Sequence, residues 1–139
     1  MRLEGKTAFI TGGGEGIGRA TALLFCEEGC KVGIMGRTGS KLDAVVSEAE
    51  GPGEIVAFPG DVSVESDAKR AVEDFYGRFG RIDILFNNAG ILEGGTVVTT
   101  TMEVWDRTMN INVKGVFLVS KYAVPLMAKN GGGVFCVAE

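Results

Sequence analysis

Five short apolar runs divide the chain: TAFIT from Thr7, KVGIM from Lys31, EIVAF from Glu54, IDILFN from Ile82 and VFCVA from Val134. Runs of this length suit buried strands and are too short for helices. Between them the apolar residues recur at helical spacing, as in Val64, Ala68, Ala71, Val72, Phe75 and Phe79. Strands that alternate with helices are joined by right-handed crossovers, which makes the strands parallel and covers both sheet faces with helices. The expectation is an α/β, Rossmann-type doubly wound parallel sheet in three layers. Its five strands take the order 3-2-1-4-5, in one domain over residues 1–139.

Turn and cap residues suggest the boundaries. A first helix is expected from about Ile17 to Glu28, stopped by Gly29. Ser40 and Ser63 are expected to cap the next two helices, and Thr100 with Glu103 forms a capping-box pattern before a fourth. The long helical region that follows is expected as two helices, broken near Asn110 to Asn112 and bent again at Pro125. No segment is expected to approach the length of a membrane span.

Composition narrows the function. With Lys+Arg of 14 against Asp+Glu of 18 the net charge is −4, and no stretch concentrates basic residues. Nucleic acid and anionic membranes are therefore not expected as partners. The chain has no histidine, which removes imidazole zinc sites and any nucleophile that depends on a histidine base; no metal site is expected. Cys26, Cys30 and Cys136 are read as buried, reduced thiols, and the chain as cytoplasmic.

The first chemical motif is TGGGEGIG, Thr11 to Gly18, between the first strand and the first helix. Glycines there remove the Cβ atoms that would keep backbone N–H groups and a helix N-terminus from a pyrophosphate. The spacing is Gly12-x-x-x-Gly16-x-Gly18; neither G-x-G-x-x-G nor the triphosphate loop is present. Alone, such a turn also occurs for purely structural reasons. At the end of the second strand, an acid would take the ribose hydroxyls of NAD and an arginine would take the 2′-phosphate of NADP. Here Gly36 stands in the acid's place with Arg37 beside it, which favours NADP and leaves NAD possible. The bland alternative is an ordinary exposed arginine, and Glu15 gives NADP no help.

GDV (Gly60 to Val62), NNAG (Asn87 to Gly90) and NINVKG (Asn110 to Gly115) complete a set of four motifs in order. With them the chain resembles the N-terminal part of the classical short-chain dehydrogenase/reductase family over essentially its whole length. The resemblance implies a nicotinamide dinucleotide as partner and hydride transfer to or from a small alcohol or carbonyl compound. It places Gly12, Gly14, Gly16, Ile17 and Gly18 at the pyrophosphate and adjoining ribose, and Arg37 at the adenosine 2′ side. Asp61 would accept a hydrogen bond from the adenine amino group with Val62 packed beside it. Asn88, Ala89 and Gly90 would form the floor under the ribose, although Asn87 and Asn88 also suit a role tying the fourth strand to its neighbours. Asn112 would hold a water of the proton relay through its backbone; read without the family, it is a local cap or kink.

The family's chemistry further uses a Ser at the end of the fifth strand and a Tyr-x-x-x-Lys pair. Glu139 aligns with the Ser, and neither Tyr76 nor Tyr122 is followed four residues later by lysine. The resemblance therefore implies the cofactor-binding portion of such an enzyme, incomplete on its C-terminal side, with VFCVA as an open sheet edge. A homo-oligomer is expected. The alternative is a non-catalytic NADP-binding or partner protein.

Overall fold

A computed structural model describes residues 1–138; Glu139 lies outside the described residues. Strands β1 (Thr7–Thr11), β2 (Lys31–Gly36), β3 (Glu54–Pro59), β4 (Ile84–Asn87) and β5 (Val134–Val137) form one sheet in the order β3-β2-β1-β4-β5. Every neighbouring pair is parallel. Helices α1 (Gly16–Glu27), α2 (Gly39–Glu48) and α3 (Glu65–Phe79) follow the first three strands. After β4 come α4 (Met102–Met109), a π turn (Asn110–Lys114) and α5 (Gly115–Lys129).

Two cores separate the layers, as the alternation of strand side chains requires. Phe9 of β1 points into one, with Val72 and Phe75 of α3 and Leu118 and Val119 of α5. Its neighbours Ala8 and Ile10 point into the other, with Ala22 and Cys26 of α1 and Leu42 and Val45 of α2. Phe75 centres an aromatic cluster, edge-on to Phe9, Phe58 and Phe79 at 5.4, 5.9 and 5.0 Å between centroids. It reaches the sheet because β2 has Gly33 there: a Cβ at that position would lie 2.5 Å from the Phe75 ring. Truncating this wholly buried ring removes several contacts at once.

Asp83 holds β1 to β4 at their amino ends. Its Oδ2 accepts from the Thr7 backbone N–H at 2.9 Å, and the Arg81 guanidinium donates to both carboxylate oxygens at 2.7 to 3.0 Å. Burial pushes the Asp83 carboxyl up, but the hydrogen bonds from Arg81 and Thr7 outweigh it and hold the group below its ordinary value.

Several boundaries differ from expectation. α2 begins one residue before Ser40, after Thr38, with no side-chain cap. Ser63 does not cap α3: its N–H and hydroxyl both donate to Asp61 Oδ1, and α3 starts after Val64. The α4 cap is Thr101, whose hydroxyl oxygen accepts from Val104 N–H, while the expected cap, Thr100, sits one residue earlier with its hydroxyl donating to the Thr96 carbonyl at 2.6 Å. The expected break near Asn110 is a π turn, so α4 and α5 form one continuous helix of 28 residues, which continues past Pro125. By length and composition that helix could cross a membrane, contrary to expectation. In the fold, it buries Leu118, Val119, Ala123 and Met127 in the core shared with α3. Cys26 and Cys30 are buried, and burial pushes the Cys30 thiol up to about 12, whereas Cys136 on β5 is exposed.

Phe75→Ala is expected to destabilise the fold by about 3–5 kcal/mol in chemical denaturation. Asp83→Ala should cost about 2–3 kcal/mol at neutral pH, since it leaves the Thr7 amide and Arg81 without their acceptor. Because the folded carboxyl lies below the ordinary 3.8, its contribution is complete above that pH and is lost as pH falls through the lower folded value. The difference between parent and variant should therefore shrink in denaturant titrations below pH 3.8.

Candidate functional site

Parallel strands send all their following loops to one edge of the sheet. The strand order reverses at β1 and β4, so the loops after these strands part and leave a crevice. A cleft of about 250 Å³ opens there. Its walls carry Gly12, Gly14 and Glu15 after β1, Gly36, Arg37 and Thr38 after β2, Gly60, Asp61 and Val62 after β3, and Asn88, Ala89 and Gly90 after β4.

Hydrogen bonds hold the β1 and β4 loops together. The buried Thr11 hydroxyl oxygen accepts from the N–H groups of Asn88 and Ala89, both at 3.0 Å. Asn88 Nδ2 donates to the Gly12 carbonyl at 3.2 Å. Gly12 has φ +65°, and a Cβ there would lie 2.9 Å from Ala89 Cα. At Gly18 a Cβ would collide with the Gly12 carbonyl and the Asn88 amide, so this glycine sets the close approach of α1 to the loops.

Eight of the expected site residues line the cleft, Gly12, Gly14, Arg37, Asp61, Val62, Asn88, Ala89 and Gly90, and Asn112 stands behind them, joined to the lining residue Ile91 by a clasp. Asn112 Oδ1 accepts from Ile91 N–H and Asn112 Nδ2 donates to the Ile91 carbonyl, each at 2.8 Å. Ile91 itself lines the cleft, as does Ile111 from the π turn. Gly16, Ile17 and Gly18 stand outside the lining; Ile17 is exposed and Gly18 is packed at the loop junction. Asn87 and Asn88 divide the two roles considered for them. Asn87 is buried away from the cleft with Nδ2 on Ser120 Oγ at 3.3 Å, while Asn88 both ties the loops and faces the opening.

Polar groups at the cleft are left for a ligand. Asp61 uses Oδ1 for Ser63, and Oδ2 has no hydrogen bond among the described residues. The N-terminus of α1 carries no side-chain cap and no acid in its first turn, so its N–H groups and positive dipole end can accept an anion. Arg37 has no ion-pair partner among the described residues.

The model of the short chain dehydrogenase family matches residues 6–137, which includes every strand and helix described. The chain belongs to the short chain dehydrogenase family. A 3-oxoacyl-[acyl-carrier-protein] reductase of Thermotoga maritima is 44% identical to it over 134 residues, covering 96% of this chain and 54% of that protein. A 3-ketoacyl-(acyl-carrier-protein) reductase from Brucella melitensis, solved in complex with NADH, superimposes with a TM-score of 0.86 at 38% identity over 93% of this chain and 52% of that one. A short-chain type dehydrogenase/reductase from Mycobacterium ulcerans gives a TM-score of 0.93 at 33% identity, over 99% and 52%. This short chain dehydrogenase sequence thus spans about half the length of these relatives.

Two parts of the site were not anticipated from the sequence. Thr11 ends the first strand and heads the glycine motif, but the sequence reading assigns its hydroxyl no role, although a threonine ahead of the glycine turn is well placed to accept loop N–H groups. The Asn112 clasp joins positions 21 residues apart and has no local signal. Neither Tyr76 nor Tyr122 lines the cleft: Tyr76 packs against the α3 core, and the Tyr122 hydroxyl donates to Glu65 Oε1 at 2.6 Å. The expected Ser position, Glu139, lies outside the described residues.

Asn112→Ala is expected to unfasten the segment after β4. Hydrogen–deuterium exchange at the Ile91 amide should accelerate by at least about tenfold, with a stability loss of about 1–3 kcal/mol. Unchanged protection at Ile91 would mean that the clasp does not hold this loop.

Proposed function

We propose that the chain is the nicotinamide-dinucleotide-binding portion of a short-chain oxidoreductase acting on an alcohol or carbonyl compound, with NADP preferred over NAD. The observation that carries this reading is the cleft at the carboxyl edge, where an uncapped helix N-terminus, a free Asp61 oxygen and Arg37 converge. The residues present fit the cofactor. Gly12 and Gly14 leave the backbone open to a pyrophosphate at the start of α1, Asp61 Oδ2 suits the adenine amino group, and Val62 offers an apolar wall. Asn88, Ala89 and Gly90 form the opposite wall for a ribose.

Arg37 distinguishes the two cofactors. At this end of β2 an acid would repel a 2′-phosphate and accept ribose hydroxyls; with Gly36 there instead, the guanidinium can meet phosphate with paired donors. The nicotinamide supplies the hydride donor or acceptor when bound. The protein's part among the described residues is to bind and orient it. The π turn contributes further: widening the helix by one residue shifts its hydrogen-bond register and frees a carbonyl to hold water, which supports the relay role of Asn112. Proton exchange at a substrate oxygen needs a positioned acid, and both tyrosines are committed elsewhere.

Calorimetric titration should therefore show tighter binding of NADP(H) than NAD(H), and Arg37→Asp should reverse the order. Equal affinities, or tighter NAD(H), would refute the assignment of Arg37. The 139-residue chain is expected to bind cofactor without turnover of simple alcohols or carbonyls. Cofactor-dependent reduction by pure material would show that the acid/base lies among the residues described.

A further inference from the structure

Strand β5 is the outer strand of the sheet beside β4, and no strand lies beyond it among the described residues. All four of its residues are exposed. Its parallel register sets Val134 beside Ile84 and Cys136 beside Phe86, and the N–H groups of Val134 and Ala138 donate to the carbonyls of Asp83 and Asn87. Along a paired strand the backbone groups of alternate residues point to opposite sides. Val134, Cys136 and Ala138 therefore face β4, and the N–H and C=O groups of Phe135 and Val137 point out along the open edge. Residues 130–138 include no charged side chain and no proline, which are the usual devices for blunting an edge.

We propose that this edge pairs with the β5 edge of a second copy of the chain, antiparallel about a two-fold axis at Cys136. The edge is complementary to itself. With Cys136 opposite its own symmetry mate, Phe135 of each copy stands opposite Val137 of the other, and these are the residues whose backbone groups are free to exchange both N–H···O bonds. An aromatic residue opposite a β-branched one is also a favourable cross-strand pair. Shifting the register by one step in either direction sets Phe135 or Val137 against itself and loses that match. Charge agrees with the pairing: a strand that meets itself sets each charge beside its like, and this one has none to oppose. Val134, Phe135 and Val137, each about half exposed, gain cover in both copies. Four residues a side are far fewer than the roughly 20–30 of a standard interface, so the pairing is weak, reversible and dependent on concentration. The axis also places the two Cys136 residues in a non-hydrogen-bonded pair, whose Cα atoms lie about 4.5 Å apart, within the about 4.4–6.8 Å that a disulfide spans. Cys136 thus reports the register, and Cys26 and Cys30 are buried and do not compete.

The test follows the 139-residue chain by sedimentation velocity over a range of concentrations and oxidises it with diamide, whose azo group takes up the two hydrogens that two thiols lose as one S–S bond forms. The parent should show a reversible monomer–dimer equilibrium, and diamide should give a disulfide-linked dimer that Cys136→Ser abolishes. In that Cys136→Ser background, Val134→Cys or Val137→Cys sets the new thiol and its symmetry mate beyond disulfide reach, and crosslinking should be at least about tenfold slower than from Cys136. Val137→Lys places a charge on an exposed edge position, so it should fold as the parent does and weaken association at least about tenfold. A parent that stays monomeric at the highest concentration, larger aggregates in place of a dimer, crosslinking from position 134 or 137 as fast as from Cys136, or a dimer unmoved by Val137→Lys would each overturn the proposal.

Discussion

The cleft exists because β4 returns past two strands to lie beside β1. Thr7 and Asp83 are 76 residues apart, and Thr11 and Asn88 are 77 apart, yet each pair is joined by hydrogen bonds. One pair closes the amino end of the strand junction and the other closes the carboxyl end, so the register of Ala8 on Ile84 and Ile10 on Phe86 is held from both sides. Long-range pairing of this kind carries a loop-closure cost, and here it is met by buried, charge-assisted contacts at one end and backbone N–H groups at the other. With the junction fixed, the loops after β1 and β4 have only opposite directions in which to leave. The crevice between them follows from topology before any side chain is chosen for chemistry.

Residues around that crevice divide into those that shape it and those that remain free to bind. Thr11, Gly18 and Asn112 are fully used in holding loops, and Asn88 is partly so. Arg37 and one oxygen of Asp61 carry no such commitment. Rigid support beneath uncommitted polar groups is what lets a site bind without first reorganising. Glu15 and Lys41 form an intermediate class, since they satisfy each other across a solvent-exposed gap and can be separated at little cost.

The sheet order and the crevice were legible from the sequence because they depend on periodicity and on topology rules that leave few alternatives. Helix starts were less legible. Ser40 and Ser63 look like caps to a reader of local sequence, but Ser63 donates both its N–H and its hydroxyl to the Asp61 carboxylate two residues before it, a local turn that delays the start of α3 until after Val64. Gly16, Ile17 and Gly18 belong to the same motif as Gly12 and Gly14 but form the first turn of α1: they are not part of the cleft lining, while their backbone N–H groups are the uncapped ones at the start of the helix. A spacing pattern records that glycine is needed; it does not record whether a ligand or a neighbouring carbonyl is what comes close. Thr11 and the Asn112 clasp were missed for a related reason: their partners are backbone atoms, which leave no trace in composition.

The π turn shows how one such hidden contact is made possible. A regular α-helix advances 100° per residue, so Ile111 and Asn112 cannot both point the same way. Ile111 goes to the α3 core and also reaches the cleft wall, while Asn112 must turn towards Ile91 to make two hydrogen bonds with its backbone. An extra residue in the turn relaxes that geometry locally and keeps α4 and α5 in one helix. It also moves α5 into the phase at which Gly115, Leu118, Val119, Ala123 and Met127 face inward, whereas α4 buries no residue. Widening one turn near Asn110 thus keeps α4 and α5 in one helix, and the same turn carries the Asn112 amide to the loop that borders the cleft.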